Sequence, residues 1–142
     1  MKKIIKSISL FLVALAFVVG ITPKAEAATT SWHSVSGYGT GCQVQAYTDS
    51  TVYKKTATTI DTYLKTNGKC KTMPYEMVVV DMNDSGYDSV GTRTGSFSKQ
   101  TSTRTFSLAA LRRDSNTNPA KVQVRYTAGG KEFYSSILTL YK

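Results

Sequence analysis

The feature that most restricts the fold is a strict alternation of apolar and polar residues in KVQVRYT (121–127). The two valines and the tyrosine fall on one side of an extended chain, and the polar residues fall on the other. AGGK (128–131) follows, and its two glycines can adopt the positive φ angles of a two-residue hairpin turn. The chain returns as EFYSSILTLY (132–141), so this region predicts an antiparallel hairpin with one buried face.

The same alternation and an abundance of β-branched residues predict further strands upstream. CQVQAYT (42–48) alternates, and KKTATTIDTYLK (54–65) is rich in threonine, which favours a strand over a helix. YEMVVVDM (75–82) carries apolar residues on both faces and is therefore expected at the centre of a sheet. SKQTSTRTFSL (98–108) is another strand candidate, whereas SLAALRRDSNTNP (107–119) contains the one plausible helical turn.

About six to eight strands without a βαβ rhythm predict an all-β fold, a single antiparallel β-sandwich. The order of a strand, FSLAAL, a polar loop, KVQVRY, a turn and a last strand is similar to the end of an immunoglobulin-like domain. This likeness concerns the fold and implies no function.

The first 27 residues have the features of an export signal. MKKIIK supplies a basic head, ISLFLVALAFVVGI an apolar run of 14 residues, and AEA (25–27) small residues at a cleavage site. The alternative is a membrane anchor, but the run is shorter than the roughly twenty residues that span a bilayer. Cleavage after Ala27 leaves residues 28–142, which are 142 − 27 = 115 residues. We therefore expect one secreted, extracellular domain, and the lysine-rich signal is typical of bacteria.

Cys42 and Cys70 are the two cysteines of the chain. In an exported protein a single pair is expected to form a disulfide, although two free thiols are the alternative. Closing a loop of this length stabilises a fold by roughly 3–4 kcal/mol. One disulfide also implies that most of the stability comes from a packed core.

The stretch DMNDSGYD (81–88) follows the apolar run MVVV and has two interpretations. Its spacing matches the front half of a calcium loop, with candidate ligands Asp81, Asn83, Ser85 and Asp88. The back half does not match, because Thr92 stands where a bidentate glutamate is required. NDSG is also a favourable turn sequence, and this second interpretation requires fewer assumptions. A weak calcium site remains the one cofactor hypothesis.

The sequence offers little for catalysis. His33 is the single histidine, and a residue of this kind beside Trp32 more often packs or caps than reacts. No nucleophile elbow, zinc-protease motif or phosphate-binding glycine loop is present in the sequence. We therefore expect a non-enzymatic protein, with a small extracellular hydrolase that uses the Asp81–Asp88 loop as a distant alternative.

Charge and aromatic residues suggest two binding surfaces. Residues 28–142 contain 18 − 4 = 14 basic and 9 − 1 = 8 acidic residues, a net charge of +6. Lys121 and Arg125 share the polar face of one strand and could bind an anionic wall polymer, a membrane surface or another protein. Nucleic acid is not expected as a partner, because no recognition motif is present. The second surface is a sugar-stacking platform, for which four tyrosines among polar neighbours are candidates: Tyr47, Tyr53, Tyr63 and Tyr87.

TSWHSVSGYGTGCQVQ, followed by KKTATTIDTY and GKC, resembles the small secreted YolA-like proteins of Gram-positive bacteria and their prophages. The resemblance covers roughly residues 30–70, including both cysteines. It implies a compact exported protein with a Cys42–Cys70 bridge, and it transfers no catalytic or binding residue.

Together these observations predict a secreted, non-enzymatic binding protein that acts at or near the bacterial envelope through a basic face. A secreted antagonist, either a bacteriocin-like toxin or an enzyme inhibitor, is the alternative of a different class.

Overall fold

The computed structural model describes residues 26–83 and 90–142. Within these ranges the chain forms eleven strands and one helix. They are β1 (Ala28–Thr29), β2 (His33–Ser34), β3 (Gln43–Thr48), β4 (Val52–Tyr53), β5 (Thr59–Thr66), β6 (Met73–Asp81), β7 (Arg93–Phe97), β8 (Arg104–Ser107), α1 (Leu108–Asp114), β9 (Ala120–Ala128), β10 (Lys131–Tyr134) and β11 (Leu138–Leu140).

The strands form two sheets. Sheet 1 has the order β1-β3-β5-β8, with β2 also paired to β3, and sheet 2 has the order β4-β11-β9-β6-β7, with β10 also paired to β9. The pairs are antiparallel except that β4 and β11 run parallel. The all-β prediction with two sheets is therefore confirmed, and the parallel pair is a departure from a purely antiparallel sandwich.

Alternating burial explains why these segments become strands of a sandwich. In β3 and in β9 every second residue is buried, including Val44 and Ala46 in β3 and Val122, Val124 and Tyr126 in β9. The inward residues of both sheets belong to one hydrophobic cluster, so the two sheets pack face to face around a common core.

The expectation of a central strand at 75–82 is confirmed. The observed strand, β6, lies between β9 and β7 in sheet 2. Val78 and Val79, which point to opposite faces, are 5% and 0% exposed. The helical turn expected within 107–119 is also found, as α1, and its buried residues are Leu108 and Leu111.

Two predicted strands are shorter than their sequence patterns. The strand expected over 54–65 begins only at Thr59, because the amide of Ala57 donates to the carbonyl of Lys54 and closes a turn. The strand expected over 98–108 begins only at Arg104. Residues 93–97 form the edge strand β7, which was not predicted. Threonine and serine tolerate turns and strands alike, so their abundance alone does not define a strand's start.

The return strand of the C-terminal hairpin is interrupted. Tyr134 pairs with Arg125 and Leu138 pairs with Val122, so three residues of the return face two residues of β9. This is a β-bulge, and the Ser135 hydroxyl stabilises it by accepting the amide N–H of Val124 at 3.0 Å. The hairpin prediction is confirmed, with β10 and β11 in place of one strand.

The Cys42–Cys70 disulfide is present, with an S–S distance of 2.07 Å, and it joins the start of β3 to the loop before β6. Residues 1–25 of the predicted signal peptide, 1–27, lie outside the described residues. Its cleavage and the resulting domain, 28–142, stay predictions. Within the part of the chain that the structure describes, no helix is long and apolar enough to cross a membrane.

Candidate functional site

The outer face of sheet 1 carries a group of aromatic side chains, Trp32, Tyr47 and Tyr63, here called the aromatic row. The alternation in β3 and β5 buries Ala46 and Leu64 and turns the two tyrosines outward. Tyr47 and Tyr63 are direct cross-strand partners, and their rings stack with centroids 4.6 Å apart and planes inclined by 21°. Such a pair contributes about 0.5–1.5 kcal/mol beyond its buried area.

Trp32 extends the aromatic row beside Lys65. The ammonium nitrogen of Lys65 lies 5.7 Å from the centroid of the Trp32 ring, a cation–π arrangement. The backbone places the tryptophan there, because the amide of Thr30 donates to Ala46 and His33 pairs with Val44. Trp32 is nevertheless 41% exposed, so much of its ring faces solvent.

The opposite end of the aromatic row is acidic. Asp61 is two residues before Tyr63 on the same face of β5. Asp49 lies beside Asp61, because the Oδ1 atom of Asp49 accepts the amide N–H of Asp61 at 3.0 Å. The same Asp49 oxygen accepts the Tyr53 hydroxyl at 2.6 Å. Burial, and then this hydrogen bond, raise the pKa of the Tyr53 phenol. The row therefore runs from a lysine at one end to two carboxylates at the other.

An open cleft of about 500 Å³ adjoins this acidic end. Its lining mixes polar residues such as Asp49, Ser50 and Lys54 with the apolar side chains of Val52 and Ala57. The cleft continues the exposed surface beyond the aromatic row, so a chain-like ligand lying along β5 would have space to extend.

Two of the four tyrosines predicted to be exposed lie together in the aromatic row, and two do not. Tyr53 is 2% exposed and belongs to the core, so its expected exposure is wrong. Its burial follows from β4, whose alternation points it inward next to β11. Tyr87 lies outside the described residues. Sequence reasoning missed the parts played by Trp32 and Lys65, which depend on the register between distant strands.

The predicted anion-binding pair, Lys121 and Arg125, lies on the outer face of sheet 2. The Arg125 side chain is only 17% exposed, and its Nη2 lies 3.1 Å from Oε1 of Glu76. Its Nη1 lies 3.9 Å from Oε2 of Glu132, and the Lys121 ammonium donates to the Thr139 hydroxyl at 2.7 Å. An anion at Arg125 would have to compete with two carboxylates. The binding role of this pair stays a prediction.

The calcium loop is only partly within the described residues. Asp81 is buried, and its Oδ1 accepts the amide of Asn83 at 2.9 Å, which begins a turn after β6. Ser85 and Asp88, the other two candidate ligands, lie outside the described residues. In ranges 26–83 and 90–142 no three His, Cys, Asp or Glu side chains form a metal-binding group. Calcium binding stays a prediction.

His33 is placed as a packing residue. Its ring stacks on Phe133 with centroids 4.2 Å apart, and Phe133 in turn stacks on Tyr126 at 5.3 Å. Partial burial, followed by the positive charge of Lys131, lowers the pKa of His33 and favours the neutral imidazole. The ring thus links sheet 1 to the core side of sheet 2.

Comparison with known proteins identifies the domain type. The family model described as the YqgA MG2 macroglobulin domain matches residues 25–139. The cell wall-binding protein YqgA of Bacillus subtilis (strain 168) is 38% identical to this chain over 109 residues, which are 76% of this chain and 75% of that protein. No solved structure matches the chain.

These matches correct one expectation and give the domain type. The resemblance to YolA-like proteins is wrong, because residues 30–70, on which it was based, lie inside the segment that matches the YqgA MG2 model. The family description gives the domain type as a macroglobulin domain, and the immunoglobulin-like analogy drawn from the last strands stays a prediction. With a family match over 25–139, this chain belongs to the YqgA MG2 macroglobulin domain family.

Proposed function

We propose that this protein is an exported, non-enzymatic binding protein that attaches to the bacterial cell wall. The observation that carries the proposal is its 38% identity to a protein named for cell wall binding, over three quarters of both chains. The family match over residues 25–139 covers both sheets of this chain, so the likeness extends over the whole described fold.

The geometry supports attachment to a polymer. Small molecules are usually bound in concave pockets that bury most of their surface. In the aromatic row, by contrast, Trp32, Tyr47 and Tyr63 project from the outer face of a sheet, where a long chain can lie across them. The net charge of +6 on residues 28–142 also favours accumulation at an anionic wall.

Co-sedimentation with purified cell walls tests the proposal. We expect the protein to pellet with walls at about 50 mM salt and less completely at about 500 mM, because salt screens the long-range attraction. Two control proteins are mixed with the same walls. One is bovine serum albumin, which is acidic, and the other is the heat-denatured form of the protein itself. A protein that stays in the supernatant at low salt would contradict wall binding.

A further inference from the structure

Building on the proposed wall binding, we propose that the aromatic row of sheet 1 holds the glycan chain of the wall. The ligand class is a polymer of pyranose rings that are mostly uncharged and carry occasional carboxylates. Sheet 2, with Lys121 and Arg125, is then not the surface that binds the wall.

The first argument concerns stacking. A pyranose ring has an apolar face of C–H groups, and covering it with an aromatic ring removes apolar surface of both partners from water. Tyrosine and tryptophan suit this task because one part of each ring system is apolar and a polar group remains in contact with water. Tyr47 and Tyr63 are half-buried as a stacked pair, and Trp32 is 41% exposed, so all three offer ring surface to solvent.

The second argument concerns spacing. Asp61, Tyr63 and Lys65 occupy successive outward positions of β5, and two residues of a strand span about 6.5 Å. The three side chains therefore cover about 13 Å along β5, and Trp32 lies beside Lys65 on the far side of β3. A strip of this length matches a short oligosaccharide lying parallel to the strand better than it matches a single sugar.

The third argument concerns charge and selects the glycan over a polyanion. Lys65 at one end can pair with a carboxylate on the ligand. Asp61 and Asp49 stand at the other end, where a regularly spaced phosphate polymer would meet like charges. A chain with few carboxylates can place one beside Lys65 and an uncharged ring beside the aspartates.

The fourth argument removes the competing surface. The guanidinium of Arg125 lies against Glu76 and near Glu132 and is 17% exposed. Two carboxylates beside one arginine leave little net positive potential on that part of sheet 2. Its polar face resembles an ordinary solvated surface more than an anion site.

Trp32 makes the proposal directly measurable, because it is the only tryptophan of the chain. Soluble fragments of enzymatically digested wall glycan are titrated into the protein, and the tryptophan emission is followed. We expect a saturable change of intensity or wavelength, and the isolated anionic wall polymer should produce none. If the anionic polymer changed the tryptophan emission and the glycan fragments did not, the proposal would be overturned.

Variants then locate the site by co-sedimentation with walls stripped of their anionic polymer. We expect Trp32→Ala, Tyr63→Ser and Lys65→Gln each to weaken binding by about tenfold. Tyr134→Ser and Lys121→Gln are the matched controls on sheet 2 and should bind as the parent does. Thermal unfolding followed by circular dichroism shows whether each variant is folded. The emission titration uses the parent protein, so it tests the proposal even if a variant does not fold.

The outcomes separate this proposal from the proposed function. Binding to intact walls that is lost on stripped walls, and weakened by Lys121→Gln, would overturn the glycan assignment while wall binding stands. Absence of binding to both kinds of wall would contradict the proposed function itself. Binding to stripped walls that all five variants retain would place the glycan site elsewhere and overturn the assignment to the aromatic row.

Discussion

At the scale of single residues, Arg112 has the largest structural role among the basic side chains of α1. Its Nε donates to the carbonyl of Tyr141 at 2.9 Å, its Nη1 to Ala57 at 2.7 Å and its Nη2 to Lys54 at 2.6 Å. One guanidinium therefore joins the helix to the turn before β5 and to the end of the last strand. The guanidinium supplies a charged donor to each of these carbonyls, and such hydrogen bonds are stronger than those between neutral groups.

We expect Arg112→Met to lower the free energy of unfolding by about 1.5–3 kcal/mol, the range for hydrogen bonds to charged groups. Arg113→Met is the matched control on the next residue. Its guanidinium is exposed and bonds the adjacent Asp114, and a solvent-exposed ion pair of this kind contributes little to stability. Urea unfolding of both variants measures the difference, and equal losses would contradict the bridging role of Arg112.

At the scale of elements, the turn between β9 and β10 shows how local and tertiary constraints combine. Gly129 and Gly130 have φ angles of 54° and 84°, as the mirror-image hairpin turn requires. Gly129 is constrained further, because its amide donates to Pro74 at the start of β6 and a Cβ there would lie 2.6 Å from the Tyr38 ring. At Gly130 a Cβ would meet nothing within 4 Å.

The two glycines therefore form a matched pair of substitutions. Gly130→Ala should cost about 1–2 kcal/mol from the left-handed backbone alone. Gly129→Ala should cost a further ~1–3 kcal/mol, because Tyr38 and Val35 must move to admit the methyl group. Chemical denaturation of the two variants tests this order. Equal costs would mean that the Tyr38 contact adjusts freely.

At the scale of the whole molecule, the Cys42–Cys70 bridge closes a loop with a sequence separation of 28 around β3 and β5. We expect its reduction to lower the free energy of unfolding by roughly 3–4 kcal/mol, since the unfolded chain gains conformational freedom. The core should still fold, because 23 buried residues of the ranges 26–83 and 90–142, from both sheets, α1 and the loop before β3, form one cluster.

Thermal unfolding with and without reductant measures this contribution, and the double variant Cys42→Ala, Cys70→Ala is the control that reductant should not affect. A parent protein that unfolds at the same temperature in both conditions would contradict a stabilising role for the bridge.

Patterns within a segment were enough to predict several elements of the fold. The alternation in β3 and β9, the two glycines of the hairpin and the apolar run of β6 each predicted structure that is observed. The cysteine pair was equally predictable, because a chain with two cysteines has one possible internal bridge. The strand starts at Thr59 and Arg104 could not be predicted in this way, because turns made of threonine and serine resemble strands in composition.

The sequence by itself determined the strands β3, β6 and β9 with their buried faces, the glycine turn of the hairpin and the single bridge, since these depend on neighbouring residues and on a period of two. Which outward side chains stand together was decided only by the tertiary structure. Trp32, Tyr47, Tyr63 and Lys65 meet because β3 pairs with β5 in one register, and a shift by one residue would separate them. In sheet 2 a different pairing, that of β6 with β9, places Arg125 against Glu76, and it too depends on the packing of the whole core.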